Sequence, residues 1–205
     1  MKKKKKKLKI IIVIAIIILI LIGGIVYYFF NKNNEHEEVK VISTIEGYNY
    51  TLENNKTALY HDLFYQLKIT LETENVNEEE YAILISKMFA CDFYDLNSKI
   101  SKNDIGGLQF MYPDKIDTFI IKAQDTIYAY VKSNIYNNRK QELPIVSNVE
   151  ASINDSTTFK YDKTTDDKAI NTTVKITYQK DLKYPSTVDL TLIHSDKYLY
   201  IAEIK

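Results

Sequence analysis

The stretch PIVSNVEASI, residues 144–153, marks the point where the chain changes from one kind of secondary structure to another. Upstream of it, apolar residues recur at intervals of three and four. From this stretch onwards Val149, Ala151 and Ile153 alternate with polar residues. A period of two predicts a half-buried strand, whereas intervals of three and four predict an amphipathic helix. Helices followed by a run of strands are typical of an α+β fold, here helices packed on a curved antiparallel sheet.

The strand pattern continues to the end of the chain. Apolar residues alternate again within Val174–Tyr178, Val188–Leu192 and Tyr198–Ile204. The polar segment Asp162–Lys168 separates the first two predicted strands, and His194–Lys197 has the length of a hairpin connection. We therefore expect an antiparallel meander.

Two helices are predicted upstream of the strands. The first covers Leu59–Leu71, where five apolar residues share one helical face. The second begins after Asn77, a suitable N-cap with Glu80 three residues later, and continues to Leu96. Its predicted apolar face consists of Tyr81, Leu84, Ile85, Met88, Phe89 and Leu96.

The segment between the second helix and the strands contains a turn, a short strand and a third helix by the same criteria. Gly106-Gly107 predicts a turn, and the alternation in Leu108–Tyr112 predicts a short strand. We expect the third helix to begin at Asp114, acting as N-cap, and to continue to about Asn137. Its predicted apolar face is Ile116, Phe119, Ile120, Ala123, Ile127, Tyr130 and Val131.

The far N-terminus predicts a membrane anchor. Residues 10–30 contain no charge, and 16 of them are Ile, Leu, Val or Phe, including Ile10, Leu19 and Phe30. At 1.5 Å per residue a helix of this length spans about 31 Å, close to the hydrocarbon thickness of a bilayer. A cleaved signal peptide is the alternative, but the apolar core is long for one and no A-x-A site follows it.

The charges beside this segment predict its orientation. Seven lysines precede it, among them Lys2, Lys7 and Lys9, and only Lys32 follows closely. The positive-inside rule then leaves the N-terminus in the cytoplasm and the rest of the chain outside. The expected organisation is a polybasic tail (1–9), a single span (10–30), a polar stalk (31–46) and an extracytoplasmic domain (47–205) in a cell membrane. The lysine block has alternative roles in binding anionic lipid or nucleic acid.

The composition limits the class of partner and the source of stability. After residue 30 the chain has 27 acidic and 20 basic residues, hence a net charge of −7. Because nucleic-acid binding depends on clustered Lys and Arg, we expect no nucleic-acid partner for this domain. Cys91 is the single cysteine, so no intrachain disulfide forms. The abundance of Lys, Ile, Asn and Tyr is typical of AT-rich genomes such as those of low-GC Gram-positive bacteria.

Two resemblances bear on fold and setting. The first is carried by Phe89-Ala90-Cys91-Asp92-Phe93-Tyr94-Asp95-Leu96, Lys99 and Lys102-Asn103-Asp104-Ile105-Gly106-Gly107. This segment resembles uncharacterised membrane-anchored proteins of Gram-positive bacteria, whose function is not established and which therefore transfer none. The order of a single span, helices and a C-terminal antiparallel sheet resembles the cone-shaped, nuclear-transport-factor-like domain of bitopic secretion and conjugation assembly proteins. That resemblance implies a sheet curved around a pocket, and no functional residue is carried over.

Asp92 is the unusual residue of the second predicted helix. At 100° per residue it projects from the centre of the apolar face, where a carboxylate is costly unless it is paired or hydrogen-bonded. It has two interpretations. In the structural one it binds a tyrosine hydroxyl or backbone amides of the loop at 97–107. In the functional one it faces a pocket with Phe89, Phe93 and Phe110, has a raised pKa and serves a ligand-binding or enzymatic site, by analogy with enzymes of the cone-shaped fold.

No signature of catalysis or of a cofactor is recognisable. G-x-S-x-G, H-E-x-x-H, C-x-x-C and phosphate-loop patterns are missing. The histidines are scattered, so we expect no metal site and no cofactor. Cys91 has no histidine near it in sequence, and we interpret it as a small buried hydrophobe.

Tyrosines near the C-terminus suggest an interaction surface. Tyr198 and Tyr200 share a face of the last predicted strand, and Tyr178 lies on a possible neighbour. Tyrosine is enriched at the centres of protein interfaces, although such a stripe is also a common half of a core. The leading expectation is a non-enzymatic, single-pass envelope protein whose domain binds another envelope protein or itself. The alternative is the ligand-binding or enzymatic domain with a pocket near Asp92.

Overall fold

A computed structural model of the protein describes residues 16–27, 38–161 and 164–205. Residue contacts divide the chain into two compact units. One comprises Met1–Glu38 with Ile135–Asn138, and the other comprises Val39–Asn134 with Arg139–Lys205. The second unit begins at Val39.

Residues 16–27 of the first unit are helical. Their large apolar side chains are between 50% and 72% exposed, and Leu19 is 70% exposed. Among the described residues, we find no helix whose length and hydropathy would let it traverse a bilayer. The polybasic tail with Lys2, Lys7 and Lys9, the span residues Ile10 and Phe30, and residues 31–37 of the stalk lie outside the described residues.

The second unit contains helices packed on a four-stranded antiparallel sheet, which confirms the α+β prediction at this level. Its helices are α1 (Ala58–Leu71), α2 (Glu78–Tyr94) and α3 (Ile116–Asp125). Its strands are β1 (Val41–Thr44), β2 (Thr51–Glu53), β3 (Val146–Tyr161), β4 (Thr164–Tyr178), β5 (Thr187–Ser195) and β6 (Tyr198–Ile204).

The strands form two separate sheets among the described residues. β1 pairs with β2, and the larger sheet has the order β3-β4-β5-β6, a meander as predicted. The β3–β4 hairpin extends past the end of β5, because the β4 residues 164–169 pair with β3 and have no partner in β5. Four register shifts interrupt the ladders of this sheet, and such bulges bend and twist strands locally.

α2 is the central helix of the domain. Asn77 caps it by accepting the Glu80 amide at 3.2 Å, as the sequence predicts. It packs against α1, β3 and β4, and from Tyr81 onwards nearly every residue is buried. The buried surface is therefore wider than the single apolar face expected, and the helix ends at Tyr94, two residues before Leu96.

Two predicted elements downstream of α2 are wrong. Leu108–Phe110 is a 3₁₀ turn instead of a strand, although Met111 forms one parallel bridge with Ile201 of β6. α3 begins at Ile116, with Lys115 at the N-cap position and Asp114 inside the preceding 3₁₀ turn.

α3 also ends at Asp125, well before Asn137. The chain turns there to bury Tyr128, whose hydroxyl donates to the Phe93 carbonyl at 2.7 Å and accepts the Gly106 amide at 3.1 Å. These tertiary bonds end the helix despite its continuing apolar spacing. Tyr130, expected on the apolar face, is 83% exposed.

Candidate functional site

Asp92 lies near the C-terminal end of α2 and is the centre of a buried charged cluster. Its side chain is 7% exposed. Lys99, only 4% exposed in its side chain, donates to Asp92 Oδ1 at 2.6 Å. Lys56 donates to both carboxylate oxygens at 3.1 Å, and the Gly107 amide donates to Oδ2 at 2.8 Å. The carboxylate is therefore fully engaged by two cations and a backbone N–H.

The electrostatics of the cluster follow from these contacts. Burial by itself raises the pKa of Asp92, but the charges of Lys99 and Lys56 and the hydrogen bonds from Lys99 and Gly107 outweigh it and lower the pKa to about 2. Burial likewise lowers the pKa of Lys56, and Asp92 reverses this so that the net change is upward. The raised pKa expected of Asp92 in the pocket interpretation is thus wrong. An aspartate that stays ionised in this way is a poor general acid or base.

The loop after α2 positions Lys99. Asp95 accepts the Ser98 amide and, through its other oxygen, the Val146 amide of β3, which fastens the loop to the sheet. The Arg139 guanidinium donates to the carbonyl oxygens of Asn97 and Lys99 at 2.7 and 2.8 Å. The loop backbone is therefore held from two sides.

The paired glycines place the second loop against α2. A Cβ on Gly106 would lie 2.3 Å from the Asp92 carbonyl oxygen. Gly107 has a φ of +78°, and a Cβ there would lie 2.6 Å from the Phe89 ring. Only glycine fits at either position, and this close approach lets the Gly107 amide reach Asp92.

A small cleft of about 240 Å³ borders this cluster. It is polar, and its lining residues are Thr51, Glu53, Lys56, Asp92, Asp104, Ile105, Gly107, Leu108 and Gln109. The aromatic residues predicted beside Asp92 do not line it. Phe89 and Phe93 stack at 5.3 Å, and Phe110 packs against Tyr50 at 5.6 Å, all within the hydrophobic core.

Lys56 and Lys99 are the members of this cluster that the sequence interpretation missed. No local pattern singles out Lys99, and the pairing of Lys56 with Asp92 joins residues 36 positions apart. A carboxylate at the centre of an apolar helix face was the one available signal, since such a group requires a partner.

The predicted interface tyrosines separate into two places. Tyr198 and Tyr200 stack with ring centroids 5.4 Å apart. Tyr178 is the last residue of β4, and its hydroxyl donates to the Pro185 carbonyl. It does not contact the rings of Tyr198 and Tyr200. We use the name tyrosine strip for the connected, mostly half-buried rings of Tyr48, Tyr112, Tyr161, Tyr198 and Tyr200.

The tyrosine strip has a cationic end. The Lys197 ammonium lies 4.7 Å from the centroid of the Tyr48 ring and 5.9 Å from that of Tyr198. A cation over an aromatic face is a favourable contact, strongest when water is excluded.

A second, larger groove lies between α3 and β6. Its volume is about 630 Å³, and its lining includes Phe93, Met111, Phe119, Ile127 and Ile204. The sequence gives no signal for this groove, because α3 and β6 are far apart in the chain.

Cys91 is buried and free. Its neighbour in space is Thr57, with 3.9 Å between Oγ1 and Sγ. Burial raises the pKa of the thiol to about 12, so the nucleophilic thiolate is scarce at neutral pH.

Comparison with known proteins gives no relative: no protein-family model, curated protein or solved structure matches this chain.

Proposed function

We propose that this chain is a single-pass membrane protein whose α+β domain binds a second envelope protein, or another copy of itself, beside the membrane. The tyrosine strip is the observation that carries the proposal. Large aromatic side chains dominate the energetics of protein interfaces, and tyrosine adds a polar end that tolerates water when the surface is free.

The state of the strip supports this role. Tyr48, Tyr198 and Tyr200 are only half-buried, and their hydroxyl groups donate no hydrogen bond to another described residue. The rings are held by mutual contacts of 5.4 and 5.5 Å, so little side-chain entropy would be lost on binding. A rigid, half-exposed aromatic surface of this kind favours a protein partner.

The N-terminal segment supports the membrane setting. Residues 16–27 form a helix that contains no charged residue, and its Ile, Leu and Val side chains are exposed. Exposure of such side chains to water is costly at about 25 cal/mol per Å², so a lipid environment is the favourable one. The proposed orientation has a cytoplasmic N-terminus and an extracytoplasmic domain, because the lysines precede the apolar segment.

The alternative, an enzyme or ligand-binding site at Asp92, has less support. The cleft beside Asp92 exists, but the carboxylate has two cations and an amide as partners and a lowered pKa. A base that removes a proton near neutral pH needs a pKa closer to the working pH.

Site-specific photo-crosslinking in intact cells tests the proposed interface. A photoreactive phenylalanine analogue at Tyr200 is expected to give a discrete adduct that mass spectrometry identifies as one protein. The matched control is the same analogue at Tyr130, which is 83% exposed and outside the strip. Recovery of uncrosslinked monomer alone from position 200, or the same adducts from both positions, would contradict the proposal.

A further inference from the structure

The groove between α3 and β6 combines an apolar floor with two cationic groups, and these features together point to a ligand class. Phe93, Met111 and Ala123 are buried at its base, while Phe119 and Ile127 are half-buried on its α3 side. Its volume of about 630 Å³ falls within the range of about 300–1,000 Å³ typical of sites for small organic ligands.

Two lysines on the same wall supply the charge. Lys115 immediately precedes α3 and Lys122 lies in its last turn, seven residues on, which separates them by about 10 Å along the helix axis. Both line the groove. Within the described ranges neither ammonium has a carboxylate within ion-pairing distance.

The other polar groups of the lining are consistent with an anionic ligand. Glu203 is the carboxylate of the described lining, and Lys205 already pairs with it at 2.8 Å. Tyr94 is 5% exposed, and its hydroxyl has no hydrogen-bond partner in the part of the chain that the structure describes. The hydroxyl oxygen itself is accessible from the groove, so it can donate a hydrogen bond to a ligand oxygen.

We propose that this groove binds a long-chain carboxylate, that is, a free fatty acid with its chain over Phe93 and Phe119 and its carboxylate at Lys115 or Lys122. The apolar floor excludes a purely ionic ligand, and the two unpaired ammonium groups favour an anion over a neutral chain. A peptide strand is a poorer fit, because the Met111 bridge covers β6 at Ile201 and the free edge beyond it comprises only Ala202–Ile204.

Photoaffinity labelling of the full chain in phosphatidylcholine nanodiscs tests this proposal. The probe is a long-chain fatty acid with a diazirine on the chain, and the readout is the set of labelled peptides identified by mass spectrometry. We expect saturable labelling of the peptides that contain Phe119, Ile127 or Ile204, competed by unmodified fatty acid. The methyl ester of the same probe is expected to label these peptides about tenfold less, because it lacks the charge.

A matched pair of tryptophan variants separates loss of ligand binding from loss of folding. Thr118→Trp fills the groove from an exposed position on α3, whereas Ile121→Trp, on the same helix, adds the same bulk at a residue that is 60% exposed and not in the lining. Groove labelling is expected to fall about tenfold in T118W and in the double variant K115E/K122E, and to be unchanged in I121W.

Several outcomes would overturn the proposal. One is that the probe labels residues 16–27 alone, and another is that the acid and the ester label the groove equally. The others are that phosphatidylglycerol competes in place of fatty acid, or that T118W and I121W are labelled equally. Loss of the Tyr200 crosslink in T118W would instead assign the groove to the protein partner. Because the interface test uses the tyrosine strip, failure of the fatty-acid test leaves that result unaffected.

Discussion

Asp92, Lys56 and Lys99 show how a single polar residue in an apolar sequence context is accommodated. The carboxylate lies on the central helix, yet the two cations come from the chain before and after that helix. Desolvating three charges is expensive, and the attraction between them recovers this cost only when the set is complete. The cluster therefore fixes where the loops at Lys56 and Lys99 must lie relative to α2.

Replacing the central carboxylate should be severely destabilising. Asp92→Asn leaves the buried Lys99 without a counter-charge, and we expect the free energy of unfolding to fall by about 3–5 kcal/mol. Urea unfolding followed by circular dichroism measures the change. The matched control, Asp181→Asn, breaks the exposed pair with Lys183 and should stay within about 0.5 kcal/mol of wild type. If D92N lost no more free energy of unfolding than the control, the structural interpretation would be wrong.

Acid titration gives a second check on the same residue. The pKa of Asp92 falls from 3.8 to about 2 on folding, so its stabilisation is present above pH 3.8 and is lost as pH falls through about 2. D92N should lack this part of the acid dependence. If the free energy of unfolding of D92N depended on acid pH in the same way as that of wild type, other carboxylates would be its source.

Cys91 illustrates a residue whose chemistry is suppressed by burial. With a pKa raised to about 12, the thiol should not react with a thiol-specific chromogenic reagent at pH 8 in the folded chain, and should react fully in denaturant. As a positive control, Glu74→Cys places a thiol at an exposed position and should react at once. Rapid modification of native Cys91 would contradict the burial argument.

At the scale of elements, the long β3–β4 hairpin is tied back to the rest of the domain. His194 of β5 contacts Asp166 of β4 through Nδ1 at 2.9 Å and Glu78 of α2 through Nε2 at 2.9 Å. The Tyr161 hydroxyl donates to the His194 carbonyl at 3.1 Å. These bonds join the hairpin, the β5–β6 end of the sheet and the start of the central helix.

This junction predicts a pH dependence. Partial burial lowers the pKa of His194, but hydrogen bonds to Asp166 and Glu78 outweigh it and raise the pKa above 6.5. The stabilisation is therefore present below pH 6.5 and is lost as pH rises through the raised folded pKa. Because His194 and Glu78 are partly exposed, we expect an effect of about 1 kcal/mol or less.

Thermal unfolding at a series of pH values from 5.5 to 9 provides the measurement, with His194→Gln as the comparison. In the variant, the thermal midpoint should no longer decline as the pH rises above neutral. Identical pH profiles for wild type and H194Q would show that the His194 junction does not cause the loss of stability above neutral pH.

At the scale of the whole molecule, the two compact units differ in the kind of surface they present. The second unit contains one large core running from Ile45 to Ile201, with α2 at its centre. The domain's stability should therefore depend on the second unit alone.

Shortening the chain to residues 39–205 tests this independence. We expect its thermal midpoint to lie within about 2 °C of that of the full chain, because no core side chain is removed. Differential scanning calorimetry of both proteins supplies the comparison, and shortening further to residues 55–205, which removes Ile45, Tyr50 and Leu52, is the destabilised control. A shortened chain that is as unstable as this control would show that the N-terminal segment supports the fold.

The class and order of the main elements follow from local patterns in the sequence. The switch of apolar spacing at residues 144–153 predicted helices before strands, and Asn77 with Glu80 predicted the start of α2, because periodicity and capping are local properties. Local patterns do not reveal where α3 ends, that Lys56 and Lys99 neutralise Asp92, that Tyr178 lies apart from Tyr198 and Tyr200, or that α3 and β6 enclose a groove. These features depend on contacts between residues distant in the chain, which override local preference and leave no regular pattern in the sequence.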